Sequence, residues 1–156
     1  MAPTQAARFI LTKELGRLSR WLRILGFDAE YDINDNPGRL IIEALKGGRI
    51  ILTRRHKMPQ SRGVRIVIVN EERLQGQIIE VVRLLGLRLD AEKMFSRCII
   101  CNVALDATEK EKIKDRVPQH VWLTQAQFVT CPVCRRIYWR GSHWDNAAEV
   151  LKDIYS

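Results

Sequence analysis

Short apolar runs and helical repeats alternate through the first ninety residues. Phe9-Ile10-Leu11 is a continuous apolar run that fits a buried strand. Leu15, Leu18, Leu22 and Leu25 recur at helical spacing, and Gly26 closes that helix as a C′ glycine. Ala29 to Tyr31 reads as a second short strand. Asn34-Asp35-Asn36-Pro37-Gly38 is a turn followed by a helix start. Leu40, Ile41, Ala44 and Leu45 form the next apolar face, closed by Gly47-Gly48. Ile50 to Thr53 and Ile66 to Val69 are strands, with the loop-like stretch Met58 to Gly63 between them. Ile78, Ile79, Val82, Leu84 and Leu85 mark a third main helix, ending near Gly86.

The pattern spells βαβαβ(α)βα, the bracketed helix falling between the last two strands. Near-continuous apolar strands between helices predict a parallel sheet covered on both faces. Ligands then bind beyond the C-terminal strand ends, at a switch in strand order. The loops after Leu11, Tyr31, Leu52 and Val69 are the ones to inspect. No GxGxxG and no P-loop pattern is present, so nucleotide-cofactor binding has no support.

The second part of the chain is organised by cysteines. Cys98, Cys101, Cys131 and Cys134 are the chain's four, in two Cys-x-x-Cys pairs with residues 102–130 between them. Two such knuckles place four thiolates at the corners of a tetrahedron, as a closed structural zinc site requires. Two disulfides would need an oxidising compartment. A redox pair is usually single and beside a βαβ unit. Iron also accepts tetrahedral sulfur. Structural zinc in a ribbon is the expectation, since four protein ligands leave no open position for a catalytic water. The chain divides into an α/β domain at 1–90 and a zinc-ribbon domain with a C-terminal helix at 91–156.

Composition narrows the function classes. The 156 residues are 46% apolar, enough for a core, and no apolar run approaches a membrane span. Met1 to Arg8 lacks an apolar secretory core, so a cytoplasmic location is expected. The net charge is +8 and the isoelectric point about 9.7. The excess lies in residues 1–87, with 15 Lys and Arg against 9 Asp and Glu. A basic surface favours polyanions, above all nucleic acid.

Arg17, Arg20 and Arg23 recur every third residue, spread over about a third of the first helix's circumference opposite the leucines. They could grip phosphates, or form an ordinary solvated face. Arg54, Arg55 and Lys57 follow a strand at its ligand-binding end. The run Arg135-Arg136-Ile137-Tyr138-Trp139-Arg140-Gly141-Ser142-His143-Trp144 interleaves arginines with aromatics, which suits phosphate contact and base stacking. Equally, Tyr138, Trp139 and Trp144 could seal the small metal module, which has little core of its own.

Several stretches together resemble one family. They are Leu15 to Arg23, Gly26-Phe27-Asp28 and Ile51-Leu52-Thr53-Arg54 in the first part. In the second they are Phe95-Ser96-Arg97-Cys98, Cys101-Asn102, Arg116-Val117-Pro118, Cys131-Pro132-Val133-Cys134 and Tyr138 to Trp144. The chain resembles the Mut-seven C-terminal RNase domain family, a PIN-like nuclease fold followed by a zinc ribbon. That resemblance implies RNA cleavage by Mg²⁺ or Mn²⁺ held on several carboxylates at the strand ends, where the ion activates water. It also places an aspartate after the first strand, where this chain has Thr12, and another where it has Arg55.

A hydroxyl and a cation do not replace two metal-binding carboxylates. The expectation is therefore an RNA-binding protein with an eroded acidic site, using Arg17, Arg20, Arg23, Arg54 and Arg55, with Tyr138, Trp139, Arg140 and His143 as further contacts. The alternative is an active ribonuclease with relocated catalytic acids, Asp32 and Asp35, helped by Glu14 or Glu43; only then would Mg²⁺ or Mn²⁺ be a cofactor. A third reading makes the ribbon a docking surface for a protein partner, in a ribonucleoprotein or toxin–antitoxin-like assembly.

Overall fold

A computed structural model describes residues 6–155, apart from the side chains of 142–144 and 155. Four parallel strands form the first sheet: β1 (Arg8–Thr12), β2 (Asp28–Asp32), β3 (Ile50–Thr53) and β4 (Ile66–Ile68). Their order is β2-β1-β3-β4. The first connection runs to one side of β1 and the next to the other, so strand order reverses beside β1. Helices α1 (Gly16–Ile24), α2 (Pro37–Gly47) and α3 (Leu74–Leu85) cover the sheet.

Strand alternation sorts the core onto two faces. Phe9, Leu11 and Leu52 join Leu18 and Leu22 of α1 and Ile78 and Val81 of α3. Ile10 and Ile51 point the other way, onto Leu40 and Ala44 of α2. The expected elements are there, except the bracketed helix: residues 54–65 cross from β3 to β4 as a loop. Pro59 and Gly63 (φ +80°) interrupt that stretch, and it has no periodic apolar face to bury.

Local signals account for the helix ends. Asn36 caps α2, its side-chain oxygen accepting from the Arg39 amide at 3.2 Å, with Pro37 in the first turn. Gly26 (φ +97°) ends α1, and a Cβ there would sit 2.6 Å from the Lys93 carbonyl oxygen. The glycine thus serves both the turn and the close passage of the connector. Next to it, the Phe95 amide donates to the Ile24 carbonyl at 2.9 Å.

A buried arginine fastens the N-terminal end of the sheet. Arg49 is 8% exposed; it donates to the Phe9 carbonyl at 3.1 Å and to Asp28 at 2.6 Å, and pairs with Glu30 at 2.9 Å. Arg8 reaches the same Asp28 at 3.2 Å.

The second sheet is antiparallel and small: β5 (Asp106–Thr108), β6 (Phe128–Thr130) and β7 (Ile137–Trp139), in that order. Between β5 and β6 lie a 3₁₀ stretch, Lys110–Arg116, and α4 (Gln119–Thr124). They make a separate apolar cluster of Ile113, Val121 and Phe128, flanked by Trp122 and Trp139. Helix α5 (Ser142–Tyr155) then returns to the first unit, where Ala147 and Ile154 enter its main core. No helix among the described residues is long and apolar enough to cross a membrane.

Burial pushes the Asp28 carboxyl up, but Arg49, Asn102 and Arg8 outweigh it and bring it down to about 2. A depressed acid contributes stability above its unfolded pKa of about 4 and loses it as pH falls to the folded value. Urea midpoints of wild type and Asp28→Asn should differ at pH 5 and converge towards pH 2. Arg49→Met should cost about 3 kcal/mol by leaving Asp28 only Arg8 and Asn102 and taking the arginine donor from the Phe9 carbonyl, and part of that loss should return in the Arg49→Met, Asp28→Asn double variant.

Candidate metal centre and nucleic-acid interface

The two Cys-x-x-Cys segments fold alike. After each second cysteine the chain takes a left-handed residue, Asn102 (φ +60°) and Arg135 (φ +67°). Their amides donate back to the Cys98 and Cys131 carbonyls at 2.9 and 3.0 Å. The turns aim further amides at sulfur: Cys101 at Cys98 Sγ, and Val133 and Cys134 at Cys131 Sγ, each at 3.4 Å. All four sulfurs lie within 4.8 Å of one another. Burial opposes the Cys98 thiolate, but the Tyr138 hydroxyl and nearby amides outweigh it and bring the thiol down to about 7. Cys101 is pushed up to about 12 by burial and by its neighbouring thiols. Four thiols at this spacing shed all their protons only around a cation, so the donor set fits a thiophilic metal ion.

Tyr138 is part of this centre. Its hydroxyl lies 3.1 Å from Cys98 Sγ, and burial and that sulfur raise its pKa, keeping it a donor. Trp139 packs on Phe128 with ring centroids 6.2 Å apart. Both aromatics therefore help seal the metal module.

The first knuckle is latched to the sheet. Arg23 Nε donates to the Ala29 carbonyl at 2.8 Å, and its Nη1 to the Ile99 and Ile100 carbonyls at 2.7 and 3.1 Å. Asn102 Oδ1 accepts from the Ala29 amide at 3.0 Å, and its Nδ2 donates to Asp28 at 2.7 Å. Edge strand β2 is thus capped by the residues that surround Cys101. This corrects the expectation that Arg23 faces phosphate beside Arg17 and Arg20: it is 9% exposed and spent on three carbonyls. Arg17 and Arg20 are exposed.

The C-terminal strand ends converge as expected of a parallel sheet. Thr12 ends β1, Asp32 pairs with it in register across β2, and Thr53 ends β3. The Thr12 hydroxyl donates to Glu14 Oε1 at 2.6 Å; the Thr53 hydroxyl at 3.1 Å and the Arg54 amide at 3.0 Å donate to the same oxygen. Burial raises the Glu14 pKa, yet these donors hold the carboxyl below its ordinary value. Arg55 forms an ion pair with Asp35 and comes within 3.9 Å of Glu14, while Lys13 pairs with Asp35 at 3.1 Å. Arg55 and then Lys13 lower the Asp35 pKa. Asp32 accepts from the Asn34 amide at 3.2 Å.

Thr12, Lys13, Asp32, Asp35, Pro37 and Arg55 line one small crevice here. So the structure brings Asp32, Asp35, Thr12 and Arg55 together. The donor set does not fit a hard divalent ion, because Thr12 brings no charge and two cations already hold Asp35. Among the described residues, the four cysteines are the group of three or more metal-type donors close enough to share an ion. Glu43 stands exposed on α2, outside the crevice lining. Arg54 is half-buried, with a buried Nε that has no hydrogen-bond partner. Arg140 is exposed, and the His143 side chain lies outside the described residues.

A model of the Mut7-C RNAse domain matches residues 7–151. The chain belongs to that family. No curated protein matches it. No solved structure matches it either. The match spans the parallel sheet, the cysteine knuckles and α5 as far as Leu151.

Sequence reasoning missed the latch. Asp28 and Asn102 stood in the family-like stretches without a role, and a pairing across 74 positions leaves no periodic trace. Arg23→Gln should strand carbonyls of the knuckle and cost about 2–4 kcal/mol. It should also speed release of the cysteine-bound metal to a colorimetric chelator, whereas Arg20→Gln should leave that release unchanged.

Proposed function

We propose that this Mut7-C domain is a cytoplasmic RNA-binding protein that does not cleave its RNA, with structural zinc on Cys98, Cys101, Cys131 and Cys134. The observation that carries the reading is the ion pairing at the sheet edge. Arg55 occupies the acidic crevice with its own positive charge, Lys13 adds a second, and Thr12 replaces a charge with a hydroxyl. A metal-dependent nuclease uses carboxylates there to hold a cation, which then meets the phosphate. In this chain the cation is covalently part of the protein. It can meet a phosphate but cannot generate a hydroxide at neutral pH.

The net charge of +8 favours a polyanion, and membership of an RNase family favours RNA among polyanions. Arg17 and Arg20 are the proposed phosphate contacts, with Tyr138, Trp139 and Arg140 near the bases; Arg54 stays at the strand end, where its amide holds Glu14. Arg23 drops out because it is latched.

The test is a mixed structured and single-stranded RNA pool, with and without Mn²⁺, scored for binding and cleavage together. The expected result is salt-sensitive binding and intact RNA under both conditions. Mn²⁺-dependent cleavage lost in Asp35→Asn would overturn the reading and make Asp32 and Asp35 a relocated acid set. Thr12→Asp combined with Arg55→Asp should restore an acidic cluster and give Mn²⁺ binding that the wild type lacks, measured by calorimetry.

A further inference from the structure

We infer that a single-stranded RNA lies across the seam between α1 and the ribbon, away from the strand ends where the family's acids would sit. This rests on the RNA-binding reading above and adds where the strand lies and in what form. Two grooves meet at Ile99 and Ile100, the residues between the first two cysteines. One, of about 350 Å³, runs along α1 past Arg17, Arg20 and Tyr31. The other, of about 560 Å³, runs over the ribbon past Arg116, Arg135, Arg136 and Trp139. No acidic residue lines either groove.

What marks the seam is the gathering of arginines along two adjoining grooves with no acid in the lining. Arg17, Arg20, Arg116, Arg135 and Arg136 are all exposed, and none has an ion-pair partner among the described residues. The Arg116 guanidinium instead donates to the Arg135 carbonyl at 2.8 Å, which holds the arginines on one side together. Arg8 and Arg49, by contrast, pair with Asp28, and Arg55 and Lys13 with Asp35. Like charges gathered without counter-charges repel one another, and an anionic strand removes that repulsion.

The apolar ridge selects the form of the ligand. Ile100 is 50% exposed and Tyr31 39%, and both sit between the arginine clusters rather than in the core. A duplex offers phosphates, sugars and base edges, with its base faces stacked away. A single strand lays phosphates on the arginines and base faces on an apolar or aromatic floor. The Arg23 latch beneath Ile99 and Ile100 fixes that floor relative to α1.

The experiment uses the full metal-loaded chain and a fluorescent single-stranded RNA of about a dozen nucleotides, a length suited to a groove of this kind. Binding is followed by anisotropy over a salt series, beside a duplex of the same sequence. The seam variants are Arg17→Gln with Arg20→Gln, and Arg135→Gln with Arg136→Gln. Arg62→Gln with Arg65→Gln, exposed on the loop before β4, is the charge-matched control. Metal content and circular dichroism confirm that each variant is folded.

Each seam pair should weaken single-strand binding about tenfold at moderate salt and reduce the slope of log K against log salt by about 1.4. The control pair should change both far less, and the duplex should bind more weakly than the single strand. If the seam pairs behave like the control pair while the wild type still binds RNA, the seam is wrong and the RNA-binding reading stands. A duplex bound as tightly as the single strand overturns the choice of ligand form. A wild type that binds neither RNA overturns both readings and leaves protein docking as the use of this surface.

Discussion

One guanidinium joins the two halves of this domain. Arg23 reaches from α1 to the carbonyls between Cys98 and Cys101, and its Nε takes the Ala29 carbonyl on edge strand β2. Buried carbonyls need donors, and an arginine supplies several in a fixed fork. Asn102 completes the junction from the ribbon side, where its left-handed backbone already belongs to the metal knuckle. The four-sulfur cluster, the knuckle, the edge of the sheet and the wall of the α1 groove are thus successive members of one chain of contacts. An edge strand left open invites pairing with other chains; here the turn around Cys98 and Cys101 occupies it.

The strand ends tell a different story from the seam. In a parallel sheet the reversal of order beside β1 opens a crevice at the C-terminal ends, and this chain keeps that crevice. Its chemistry has changed. Glu14 is absorbed by hydroxyls of Thr12 and Thr53 and by a backbone amide, and Asp35 by Arg55 and Lys13. Those contacts lower both carboxyl pKa values, so the acids remain ionised, but they are ionised for internal partners. A divalent ion entering here would have to displace a hydrogen-bonded arginine as well as shed its own water.

Much of this was legible in the sequence. Apolar runs and leucine spacing gave the strands and helices, because burial on both faces leaves few polar interruptions. The cysteine spacing gave the metal centre, because a tetrahedron of thiolates needs two tight turns. What periodicity could not decide was the fate of the three arginines on α1. On an ideal helix Arg17 and Arg23 stand about equally far from the leucine stripe, on opposite flanks. Only the position of the ribbon decides which flank is covered, and that position depends on Asp28 and Asn102 meeting across the domain. The aromatic run was similarly two-sided. Tyr138 and Trp139 are committed to the sulfur centre and to Phe128, yet they also form the wall of the ribbon groove.

The charge arithmetic links the eroded crevice to the proposed RNA contact. A cluster of carboxylates without its metal repels phosphate, so an intact nuclease edge holds RNA well only when loaded with the ion. At these strand ends Thr12 carries no charge, and Arg55 and Lys13 offset Asp35, which weakens that repulsion. Along the seam grooves the arginines have no acidic neighbours in the lining. Binding on such a surface depends on the metal only through the cysteines, by way of the Arg23 latch and not by way of phosphate coordination. In the proposed reading, a weak hold on a divalent ion and a weak repulsion of phosphate at the strand ends both follow from Thr12 and Arg55.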